Sequence, residues 1–94
     1  MSKSELLQIL QANLDLLTLD STRQNQLEFL IDTAVQLIAR EGVTLTDPYT
    51  VEDSNLIVMY AAYLFRKRAT DEPMPRMLRW ALNNRIFGRY ADGT

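Results

Sequence analysis

Apolar residues recur along this chain at helical spacing, in four runs separated by short polar or proline-bearing breaks. The first run extends from about Lys3 to Asn13 or slightly beyond. At about 100° per residue it places Leu6, Leu7, Leu10, Leu14 and Leu17 in one arc, the stripe of a core-facing helix. Ser2 and Glu5 have the spacing of a capping box. Thr18, Asp20 and Ser21 favour a turn or a cap, so a break is expected between Leu14 and Asp20.

The second run, from about Thr22 to Glu41, stops at Gly42, a favourable residue just past a helix end. Leu27, Leu30, Ile31, Ala34, Val35, Leu37 and Ile38 share its broad apolar face. Phe29 projects instead among Asp32, Gln36 and Arg40, on the side that meets water. Isolated exposed aromatics are common; as a functional residue, Phe29 would contact another chain.

Val43 to Tyr49 reads as a loop closed by Pro48, and Thr50 with Asp53 can cap a third helix running to about Ala69. Ile57, Tyr60, Ala61, Leu64 and Phe65 form a core face, but Met59, Ala62 and Tyr63 lie opposite, so the middle is apolar all round. Such a helix must be covered all round. It is either the centre of the bundle or half-covered by a neighbouring subunit, and Tyr60 and Tyr63 suit an interface.

Asp71-Glu72-Pro73-Met74-Pro75 breaks the chain before a fourth helix, from about Arg76 to Phe87 and ending near Gly88. It carries a narrow stripe of Leu78, Leu82 and Ile86 and a separate patch of Met77, Trp80 and Phe87, implying two packing partners. Residues 88–94 read as a mobile tail. The expected fold is therefore all-α: one domain over residues 1–94, a small bundle of about four helices with short loops.

At 94 residues and 10.8 kDa there is room for one core, and a compact monomer of this mass exposes about 5,500 Å². The absence of cysteine removes disulfides and thiolate chemistry, and the absence of histidine removes the usual general base near neutral pH. Carboxylate pairs such as Glu28 with Asp32 and Glu52 with Asp53 lack metal-ligand spacing and read as solvated faces and caps. No glycine-rich phosphate cradle or nucleophile elbow is present. No catalytic, metal or cofactor residues are assigned, and an enzyme is not expected. The polar N-terminus does not resemble a signal peptide, and the longest apolar run, Leu56 to Phe65, is half a membrane span, so a soluble intracellular product is expected.

The net charge of −2 is unevenly spread. Residues 1–47 carry three basic and seven acidic side chains, a net of −4, whereas residues 48–94 carry seven and five, a net of +2. A subunit of this kind can stack acid to base on its own copies or approach nucleic acid with its basic end. Arg66-Lys67-Arg68 complements a helix C-terminus without any partner. Arg79, Arg85 and Arg89 beside Trp80 and Phe87 have the composition of an interface hot spot, and also suit contact with phosphate or an acidic partner.

Taken together, Leu17-Thr18-Leu19-Asp20, Leu27-x-x-x-Ile31-x-x-Ala34-x-x-x-Ile38, Ala62-Tyr63-Leu64-Phe65-Arg66-Lys67-Arg68 and Met77-Leu78-Arg79-Trp80-Ala81-Leu82-Asn83-Asn84-Arg85 resemble the small head–tail connector (adaptor) proteins of tailed bacteriophages. The likeness spans nearly the whole chain, and the last two blocks are its most specific part. It implies a virion protein without catalytic chemistry, made in the bacterial cytoplasm. Such a subunit forms a homo-oligomeric ring, commonly of about twelve copies, beneath the portal protein. The ring extends the DNA channel, touches the DNA at most weakly, and presents a platform to a tail-side stopper or tail component. Head-to-tail contacts close such a ring when the rotation per subunit divides a full turn. Phe29, Met59, Tyr60, Tyr63, Trp80 and Phe87 are the expected subunit or portal contacts. The alternatives are a small helical nucleic-acid-binding domain using residues 66–89, or a regulatory or packaging interaction module.

Overall fold

The computed structural model describes residues 2–14, 16, 20–45, 48–69 and 73–92, and the side chains of all of these except 68–69 and 87–92. Within them lie four helices and no strand: α1 (Lys3–Asn13), α2 (Ser21–Arg40), α3 (Val51–Ala69) and α4 (Arg76–Asp92). Each of the first three begins on a side-chain cap. Ser2 Oγ accepts the Glu5 N–H at 3.2 Å while Ser2 N–H donates to Glu5 Oε1, completing the expected box. Asp20 caps α2 by accepting the Arg23 N–H at 2.7 Å. The Asp53 N–H donates to Thr50 Oγ1 at 3.0 Å, and Thr50 N–H donates to Asp53 Oδ2 at 3.4 Å.

Helix α2 stops where its backbone turns left-handed at Gly42, with φ of 98°. The Gly42 N–H donates to the Ala39 carbonyl and the Val43 N–H to the Ile38 carbonyl, the paired bonds of a Schellman ending. Val43, just past the turn, is buried and fixes the exit of the chain.

Helix α3 is the centre of the bundle. Ile57 and Ala61 are wholly buried, and Leu56, Val58 and Ala62 nearly so. Leu6 and Leu10 of α1, Leu27, Ile31, Ala34 and Ile38 of α2, and Leu78 and Leu82 of α4 join them in one core cluster. Leu17, expected on the α1 stripe, lies outside the described residues. The all-round apolar middle of α3 is thus covered largely within a single chain; Met59 and Tyr63 stay half-buried at its margin. A neighbouring subunit is not required to bury Tyr60, which is 6% exposed.

Helix α4 differs from expectation at its end: it runs through Gly88 to Asp92. Glycine inside a helix costs about 1 kcal/mol relative to alanine but ends it only where the backbone turns left-handed, as at Gly42. The tail expected over 88–94 is therefore helical as far as Asp92.

α1, α2 and α3 pack on one another, while α4 packs chiefly on α3. The result is a slab of 47 × 30 × 18 Å, about two helix layers thick. Its radius of gyration is 13.6 Å, where a compact chain of this length gives about 12.4 Å. Its surface is 6336 Å², against about 5,500 Å² for a compact monomer of this mass.

Candidate interaction surface

Helix α4 is seated by two leucines and two arginines. Leu78 and Leu82 insert into the core. Arg79 Nη1 meets Glu41 Oε2 at 2.8 Å, tying α4 to the end of α2. Arg85 Nη2 meets Asp53 Oδ1 at 2.6 Å and donates to the Thr44 carbonyl at 3.2 Å, tying α4 to the start of α3 and to the loop before it. Asp53 is buried, so the carboxylate expected to sit in solvent as a cap is an internal ion-pair partner as well. Glu52 beside it is exposed.

The edge of α4 away from Arg79 is more apolar. Met77 is 66% exposed and Trp80 62%. Between this edge and the first half of α3 lies an open groove of about 840 Å³. Val43, Leu56 and Met59 supply its apolar lining, Trp80 its aromatic wall, Asn55 and Asn84 its amides, and Glu52 and Arg85 its charges. Phe29 is 70% exposed on the outer face of α2 and is not part of this groove.

The other predicted contacts fall differently. Tyr60 is a core residue, in edge-to-face contact with Tyr63 at 6.1 Å. Its phenol is pushed above its ordinary range by burial first, then by the negative charge of Glu41. A partner cannot reach it, because the packing that an apolar helix centre demands has closed over it. Tyr63 is half-buried, with Lys67 Nζ 5.7 Å from its ring centre, and Met59 lines the groove. Phe87 and Arg89 lie outside the described side chains.

Several of the basic residues are engaged locally. Arg79 and Arg85, expected to suit phosphate or an acidic partner, meet that partner inside the chain as Glu41 and Asp53. The Glu41 hydrogen bond also raises the affinity of Arg79 for its proton. Arg66 donates to Asn13 Oδ1 at 3.5 Å, and Arg23 stacks 5.4 Å from the Phe65 ring. The Asp53–Arg85 pair escapes sequence reasoning, because periodicity assigns Arg85 a direction but not a partner 32 positions away. Its one signal was an arginine beside the apolar stripe of α4 rather than opposite it.

The described residues hold no group of three or more His, Cys, Asp or Glu able to bind a metal ion, and no helix among them is long and apolar enough to cross a membrane. The arrangement is a small all-α bundle, with an aromatic-walled groove on one side and the exposed Phe29 on another. Compared with family models, curated proteins and solved structures, the chain gives no match in any of the three.

Proposed function

We propose that this chain is a structural subunit of the head–tail connector of a tailed bacteriophage, assembling as a ring beneath the portal protein. The observation that carries the proposal is the edge of α4, where Met77 and Trp80 stand exposed beside the groove. Large apolar side chains beside a groove mark a surface that another chain covers. The likeness of the α3 and α4 sequence blocks to connector proteins supplies the identity of that chain: further copies, and the portal above them.

In this role the protein performs no bond chemistry. Its work is to hold a channel open for DNA and to present a platform to the next tail component. Contact with the passing DNA is weak, whereas an affinity for DNA that falls steeply with salt would favour the nucleic-acid-binding alternative. The nucleic-acid-binding alternative is less well supported, because Arg79 and Arg85 are committed to carboxylates of their own chain.

The experiment is to incubate the protein with the portal protein of the same phage and image the complex by electron microscopy. A closed ring on the tail-side face of the portal, in the portal's own rotational symmetry, is the expected result. A portal that emerges bare, with the protein eluting separately at every ratio tried, overturns the proposal.

A further inference from the structure

We propose that the α3–α4 groove receives Phe29 from a second copy of this chain, in a head-to-tail contact. The inference deepens the connector reading and rests on it for the closure of such contacts into a ring.

The two surfaces match in chemistry. Asn25, Phe29, Asp32 and Gln36 stand at alternating four- and three-residue spacing on α2, all exposed, so they form one ridge with a single aromatic in its middle. The groove offers the complement: an apolar lining and the Trp80 wall for the phenyl ring, and the amides of Asn55 and Asn84 for the flanking amides and carboxylate. An aromatic pair desolvated at the centre, with polar groups around it, is the anatomy of an interface hot spot.

Charge selects this occupant over an α4 edge mated to its own copy. Arg76 stands exposed one helical turn before Trp80, so two such edges face to face bring like charges together. The ridge brings Glu28 and Asp32 instead, and its distal Arg40 has Glu52 of the groove as counter-charge. Asp32 meets Lys3 at 2.9 Å, but both side chains are about half exposed, and such a pair gives way readily to a new partner.

Because ridge and groove are different surfaces, each bound copy keeps one of each free. The contact therefore propagates and closes only through its rotation angle.

The chain has no cysteine, so single thiols can be placed without background. Asn25→Cys puts one on the ridge and Asn84→Cys one on the groove rim, leaving Phe29 and Trp80 intact. With the two variants mixed at millimolar concentration and treated with a short bifunctional maleimide, the mixed crosslink should exceed either self-crosslink at least tenfold. Adding Phe29→Asp to the ridge variant, or Trp80→Asp to the groove variant, should lower that yield at least tenfold. Circular dichroism checks that these exposed-site variants remain folded. Dominant Asn84→Cys self-crosslinks, a mixed crosslink that survives Trp80→Asp, or no crosslink at any concentration overturns the contact. Portal-bound rings that persist with Phe29→Asp and Trp80→Asp overturn it too, while leaving the connector role intact. A specific mixed crosslink with no portal binding has the opposite meaning: the contact stands and the connector role falls.

Discussion

Replacing Asp53 with asparagine isolates the interaction that holds the groove's two walls together. Asp53 is 1% exposed, and the Arg85 side chain opposite it 28% exposed. Removing one partner of a buried ion pair costs about 3–5 kcal/mol, because the remaining charge is stranded. Arg85 can partly rehydrate through its exposed fraction, so about 3 kcal/mol is expected. The substituted amide keeps an oxygen for the Thr50 N–H, so the helix start adds little to that loss. A chain of 94 residues has a total stability of about 5–14 kcal/mol, and a domain of this size loses about 4–8 °C of Tm per kcal/mol. Asp53→Asn should therefore lower Tm by about 12–24 °C, read by thermal and urea unfolding followed by far-ultraviolet circular dichroism. Arg85→Met completes a double-mutant cycle. Nη1 of Arg85 is buried without a hydrogen-bond partner, so the native pair is incompletely satisfied and the double variant should recover much of the loss. The expected coupling is about 2 kcal/mol. A single-variant loss below about 1 kcal/mol, or additive losses in the cycle, would refute the assignment of this pair as the clamp between α3 and α4.

Three further outcomes follow from local features. The Tyr60 phenol is raised above its ordinary value near 10 by burial and by Glu41, so an ultraviolet absorbance titration should show a tyrosine ionising above that value, and Tyr60→Phe should remove that step. Because the folded chain holds that proton more tightly than the unfolded one, the associated stability is present below about pH 10 and is lost as pH rises through the folded value; Tyr60→Phe should remove that part of the alkaline loss. Gly42→Ala should cost about 1–2 kcal/mol in urea unfolding from backbone strain alone, since φ is 98° and nothing lies within 4 Å of the added methyl, while Gly42→Asn should cost less. Trp80→Ala should change the stability of the isolated chain by less than about 0.5 kcal/mol in the same assay, because the side chain is 62% exposed; a larger loss would mean that Trp80 holds the fold together rather than awaiting a partner.

Helix positions were legible wherever local chemistry decides them. Ser2 with Glu5, Thr50 with Asp53, and Gly42 each act within a few residues, and each marks a helix boundary in the structure. The stripes were legible for the same reason: Leu6 with Leu10, Leu27 with Ile31 and Ile38, and Leu78 with Leu82 share a face through the 3.6-residue turn alone, and all are buried. The exposure of Phe29 followed from the same geometry, whereas Trp80 was legible only as part of a second apolar patch.

What the pattern could not decide was which apolar face meets which neighbour. An apolar-all-round α3 is equally consistent with a bundle centre and with a subunit interface, and only the docking of α4 onto α3 through Leu78 and Leu82 completed its cover. That docking took Tyr60 out of reach of any partner and turned Asp53 and Arg85 from surface charges into an internal pair. The groove belongs to the same class of outcome, since Val43, Leu56, Met59 and Trp80 converge from a loop and two helices. Periodicity constrains neighbours three or four positions apart; partners dozens of positions apart are set by how whole helices pack, and packing is a property of the assembled core.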